Sequence, residues 1–177
     1  PWEEALNNEP FPIDIQNTIS ESLKDLSPDH KLILTATPTS QERDELALYW
    51  NNKGTHQEPP EKWKDLSFNH PDVIKAYLKY CQRIIEEVQP DYFGYGIEVN
   101  AGFKNNTQTF SEFLELADTV YYTLKTRFPE LPIFLSFQDQ SFNKSKQELL
   151  DITKVMLKYS DLIAVSTYPF WQYDYPT

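Results

Sequence analysis

The chain has 177 residues, 40% of them hydrophobic, enough for one domain with a sizeable core. Sixteen basic residues against 27 acidic ones give a net charge of −11, a surface that repels phosphate backbones and anionic lipid and argues against nucleic acid and membranes as partners. Four glycines leave no glycine-rich phosphate cradle, and one cysteine, Cys81, allows neither an intrachain disulfide nor a thiolate metal cluster.

The segment 13–26 carries Ile13, Ile19, Leu23 and Leu26 at near-helical spacing and predicts an amphipathic helix ended by Ser27-Pro28-Asp29. Residues 31–37, stopped by Pro38, predict a short buried strand. From Thr39 to Asn69 the pattern is irregular and polar, and a loop this long usually means either function or an excursion containing small helices. Pro71 then opens a strong helix whose apolar face runs through Val73, Tyr77, Cys81, Ile84 and Val88 to Pro90. Residues 91–99 predict a strand and 111–127 a helix. Residues 133–137 predict a strand, 145–159 a helix and 161–168 a strand stopped by Pro169.

Short apolar strands alternating with amphipathic helices imply a parallel sheet with right-handed crossovers. Four such strands fit an open doubly wound sheet, but none of their ends offers the glycine-rich turn such sheets use. They also fit a section of a (β/α)8 TIM barrel, which takes about 250 residues when complete. The chain starts at Pro1 in a helical region and stops just after a strand. The expectation is therefore an α/β fold, residues 1–177 forming one domain that is the central portion of a barrel, with about four parallel strands and four main helices.

In a barrel, chemistry sits at the carboxyl ends of the strands. Glu98 lies there, after Tyr95-Gly96-Ile97, and a carboxyl group in that place can act as a general acid and base. Asn100 follows it. Tyr168 ends the last strand, Trp171 comes soon after, and Tyr49-Trp50 lies in the loop after the first strand. Aromatic rings at a barrel mouth stack on sugar rings, while amides and acids bind the hydroxyls. Gln138 and Asp139, after the third strand, suit that polar role. The candidate set is thus Glu98 for catalysis and Tyr49, Trp50, Asn100, Gln138, Asp139, Tyr168 and Trp171 for substrate. His30, His56 and His70 are scattered without metal-ligand spacing, and no cofactor is expected.

The segment Tyr92-Phe93-Gly94-Tyr95-Gly96-Ile97-Glu98-Val99-Asn100 resembles the fourth-strand segment of retaining (β/α)8 glycoside hydrolases, in the clan that includes the arabinogalactan endo-β-1,4-galactanases. Residues 32–38, 63–77 and 163–170 resemble the third strand, the third helical segment and the sixth strand, so the likeness spans strands three to six. It implies that Glu98 is the acid/base, that Tyr168 lies near the nucleophile, and that the nucleophile itself comes after Thr177. It also implies a carbohydrate substrate and an extracellular or periplasmic location. The family usually carries Asn directly before this Glu, to bind the sugar 2-hydroxyl, and Ile97 stands there instead. That contact strengthens in the transition state. A noncatalytic carbohydrate-binding or scaffold barrel is accordingly the alternative. A half barrel would leave sheet edges open, so a complete chain of this length is expected to pair with a partner, such as a second copy.

Overall fold

The computed structural model describes residues 1–24, 26–27, 29–104, 107–139 and 144–168. It is a mixed α/β structure built on a four-stranded parallel sheet. The strands are β1 (Ile33–Thr35), β4 (Tyr92–Gly96), β5 (Ile133–Gln138) and β6 (Ile163–Ser166), in that spatial order. An antiparallel hairpin of β2 (Tyr49–Asn51) and β3 (Gly54–Gln57) interrupts the connection from β1 to β4. The helices are α1 (Trp2–Asn7), α2 (Ile13–Leu23), α3 (Pro71–Val88), α4 (Val99–Gly102), α5 (Gln108–Arg127) and α6 (Lys146–Met156), with short 3-10 turns at Glu61–Trp63 and Leu157–Tyr159.

Strand order in the sheet follows chain order without reversal. A doubly wound sheet reverses at a switch point, and none occurs among these four strands. Winding in one direction stacks the crossover helices on one face of the sheet. The core lies there: Phe93 and Tyr95 of β4 and Ile133, Leu135 and Phe137 of β5 are buried with Cys81, Phe113, Leu116, Val120 and Ile152 from the helices. Phe68, Phe103 and Phe113 form a ring cluster with centroids 4.8–5.7 Å apart, each such pair worth about 0.5–1.5 kcal/mol beyond its burial.

The same device aligns the strands twice. Asp91, just before β4, accepts the Leu32 N–H at 2.8 Å while its own N–H donates to the Leu32 carbonyl at 2.9 Å. Asp161, before β6, does the same with Ile133, at 2.8 Å in both directions. Each carboxylate also binds a lysine, Lys31 at 2.6 Å and Lys125 at 2.9 Å. These pairs satisfy backbone groups at the strand starts, where the ladder has not yet begun.

Helix α3 begins and ends where the sequence predicts. Pro71 occupies the first turn, the His70 ring accepts the Asp72 N–H at 3.2 Å, and Gln89 closes the helix in the left-handed conformation. Helix α6 begins with a complete capping box between Ser145 and Glu148. Other elements depart from expectation. Helix α2 shifts its inward face: Ile15 is fully buried and Ile19 packs against the core as predicted, whereas Ile13 is 57% exposed. Helix α1 and the β2–β3 hairpin lie in stretches where the hydrophobic pattern is too short to announce them. The predicted strand 91–99 stops at Gly96, because the chain turns into α4 through Glu98. The edge strands expose apolar side chains, Ile33 on β1 and Ile163 and Val165 on β6.

Candidate functional site

Glu98 sits two residues beyond β4, at the carboxyl end of the sheet, in the left-handed conformation (φ 52°, ψ 40°). Its N–H donates to the Ser136 hydroxyl of β5 at 2.9 Å, which fixes the turn against the neighbouring strand. The residue is 8% exposed. One carboxyl oxygen accepts the Tyr168 hydroxyl, from just after β6, and the other pairs with the Arg43 guanidinium at 3.3 Å. Donating to Glu98 pushes the Tyr168 phenol above its ordinary value, and partial burial adds to the push. The carboxyl group is thus held between the loop that follows β1, through Arg43, and the residue just after β6, Tyr168.

Arg43 is absent from the candidate set drawn from sequence. It lies in the irregular stretch after β1, where nothing in the local pattern distinguishes it. Its backbone carries the signal: among the described residues, five non-glycine residues have positive φ, and Arg43 (φ 68°) and Glu98 are two of them. Asn8 and Gln89, two of the others, close helices, where this conformation is usual. Arg43 and Glu98 close none, and they bind each other. Such strain persists where surrounding structure enforces it, often at functional sites.

Asn100 is 1% exposed, and its amide is fully engaged. Its oxygen accepts the Gln138 N–H at 2.8 Å, and its nitrogen donates to the Gln138 carbonyl at 2.9 Å and the Thr153 hydroxyl at 3.0 Å. It ties α4 to the end of β5 and to α6, so its polar atoms are used within the fold. Gln138 is therefore beside Asn100 through its backbone, while its side chain is partly exposed. Asp139 is exposed at the same end of the sheet, its N–H donating to the Ser166 carbonyl at 3.3 Å.

Tyr49 and Trp50 are turned to the N-terminal helices. Tyr49 is 4% exposed and its hydroxyl donates to Glu4. Burial and that bond push its phenol well above the ordinary value. The Trp50 indole N–H donates to Asp14 at 2.7 Å. Trp50 lines a cavity of about 140 Å³ beyond the end of β1, with Trp2, Thr37, Leu48, Tyr77 and Tyr80. Among the described residues, the side-chain hydrogen bonds of Tyr49 and Trp50 go to the N-terminal helices and not to Glu98. Trp171 lies outside the described residues. The structure therefore hydrogen-bonds Glu98 to Tyr168 and Asn100 to Gln138, while Tyr49 and Trp50 bond to the N-terminal helices.

Cys81 is fully buried, and burial pushes its thiol far above the ordinary range. Among the described residues no cluster of three His, Cys, Asp or Glu side chains forms a metal site, and no helix is long and apolar enough to cross a membrane. No protein-family model matches the chain, and no curated protein is significantly similar to it.

Proposed function

We propose that the chain is part of a (β/α)8 barrel that acts on a polysaccharide or oligosaccharide by a retaining, two-carboxylate mechanism, with Glu98 as the acid/base. The observation that carries this reading is the placement of a nearly buried carboxyl group at the carboxyl end of β4, bonded by the hydroxyl of a tyrosine that follows β6. Uniform winding of the four strands accords with a barrel section. In the mechanism Glu98 protonates the leaving glycosidic oxygen, a second carboxylate attacks the anomeric carbon, and Glu98 then draws a proton from the incoming water. The two carboxyl groups must be about 5–5.5 Å apart. The hydrogen-bond partners of Glu98 are Arg43, Ser136 and Tyr168, and the resemblance to the glycoside hydrolases implies that the nucleophile comes after Thr177. Action outside the cytoplasm accompanies this reading.

One observation favours a second reading, a noncatalytic carbohydrate-binding barrel. Both carboxyl oxygens of Glu98 are already engaged, one of them by a cation, and Ile97 precedes Glu98 where the resembled family carries Asn. The test is release of reducing ends from a panel of neutral polysaccharides, with the 177-residue chain, any longer parent protein and their Glu98→Gln variants. The first reading predicts turnover by the parent that falls by about a hundredfold or more in Glu98→Gln, and none by the chain alone. Binding without turnover by both selects the second reading. Turnover unaffected by Glu98→Gln overturns the assignment of Glu98.

A further inference from the structure

We propose that Arg43 is the positioning residue of Glu98 and that Gly102 is the seat on which Arg43 depends; this deepens, and rests on, the reading of Glu98 as the central carboxyl group of the site. Three observations converge. First, the Arg43 loop is tied to itself. Thr39 bridges Leu46, the Ser40 N–H donates to the Glu45 carbonyl at 2.8 Å, and the Ala47 N–H donates to the Pro38 carbonyl at 2.8 Å. Within it, the Arg43 backbone and guanidinium both donate to the Ser40 carbonyl, at 3.2 and 3.1 Å. The guanidinium is thus presented to Glu98 by a closed loop.

Second, that loop rests directly on α4, the helix Glu98 begins. A Cβ on Gly102 would lie 2.5 Å from the Arg43 carbonyl oxygen and 2.6 Å from that of Glu42. The atoms met are backbone, so no side-chain rotation relieves the clash. Only glycine lets the loop approach this closely. Third, Arg43 and Glu98 both hold left-handed backbone with no helix end to explain it in Arg43, so each end of the ion pair is set by the chain around it. Three residues, Val99, Asn100 and Ala101, separate Glu98 from this seat. The end of α4 therefore sets the position of the loop that orients the side chain at its start.

The test uses the 177-residue chain. Amidation of Glu98 by a carbodiimide with glycinamide, followed by peptide mass mapping, measures how firmly the carboxyl group is held. The ¹³C resonance of its side chain, identified by its loss in Glu98→Gln, gives a second reading. Arg43→Gly removes the guanidinium and relieves the left-handed backbone, so it does not endanger the fold. It should speed amidation of Glu98 by roughly threefold to tenfold and move the resonance. Arg43→Lys, which keeps a cation, should restore part of the protection. Gly102→Ala should react like Arg43→Gly although residue 43 is unchanged.

Wild-type reactivity and resonance in Arg43→Gly overturn the positioning role. A folded Gly102→Ala chain that behaves as wild type overturns the seat, and so does one that fails to fold, because the loop then did not absorb the clash. Binding of cello-, xylo- and galacto-oligosaccharides by the same variants separates this proposal from the reading it rests on. Unaltered Glu98 chemistry with intact sugar binding rejects Arg43 alone. Altered Glu98 chemistry with no sugar binding by any variant or by wild type keeps Arg43 and rejects the carbohydrate site.

Discussion

Asn100 offers a direct measure of how the end of the sheet is held. Replacing it with Ala leaves the N–H and carbonyl of Gln138 without the bonds they make at 2.8 and 2.9 Å, in a place where Asn100 itself is 1% exposed. The Thr153 hydroxyl keeps its other bond, to the Leu149 carbonyl at 2.7 Å, so it adds little to the loss. Two unsatisfied, largely buried backbone groups, with some entry of water, put the cost at about 2–4 kcal/mol. For a chain of this length that corresponds to a fall in Tm of about 4–16 °C. Guanidinium titration and thermal melting followed by circular dichroism measure both. Asn100→Asp sharpens the test. It keeps an acceptor for the Gln138 N–H but sets a carboxylate against the Gln138 carbonyl and the Thr153 hydroxyl oxygen. It should destabilise more than Ala at neutral pH and recover on acidification, when the protonated group can donate. A cost below about 0.5 kcal/mol for Asn100→Ala would refute the tie and return Asn100 to the pool of ligand contacts.

Cys81, fully buried and with its thiol pushed up by burial, should resist disulfide reagents at mildly alkaline pH and react fully once the chain is unfolded. Asp91 is held below the usual carboxylate range by Lys31 and the Leu32 N–H. Burial pushes Asp161 up, but the Ile133 N–H, Tyr121 and Lys125 together outweigh it and hold it low. A folded-state value below the unfolded one contributes stability that is present above the unfolded value and lost as pH falls through the folded one. Urea midpoints should therefore drop as pH falls through and below about 4, and the slope should flatten in Asp91→Asn with Asp161→Asn. Tyr77→Phe should cost about 1–2 kcal/mol by unfolding titration, since the Tyr77 hydroxyl is the partner of the Tyr95 carbonyl at 2.7 Å in the core.

What the sequence conveyed depended on how local each signal was. Helix α3 and strands β4, β5 and β6 announce themselves through long apolar periodicity and proline or cap residues at their ends, and the structure places them within a few residues of expectation. The position of Glu98 at the carboxyl end of β4 follows from the same local pattern. The hairpin's strands span only three and four residues and turn through Asn52-Lys53 into Gly54, which takes φ 109°, too short a stretch for local pattern to announce. Helix α1 spans six residues, too few for periodicity to show. Glu4 of α1 binds the Tyr49 hydroxyl, and Asp14 of the predicted α2 binds the Trp50 indole; neither long-range partner is visible in local pattern. Arg43 illustrates the other limit. It meets Glu98 across 55 positions of chain, and only the fold brings them together.

The central claim is that neutral sugar binds at Glu98, just beyond the carboxyl end of β4. A ¹⁵N-labelled chain titrated with neutral oligosaccharides, with amide shifts followed residue by residue, tests it most directly. Saturable shifts centred on Gly96, Glu98, Ser136 and Tyr168 and weakened in Glu98→Gln are the predicted result. A panel of glycans that leaves those four amides unmoved, or moves only residues remote from them, would contradict it.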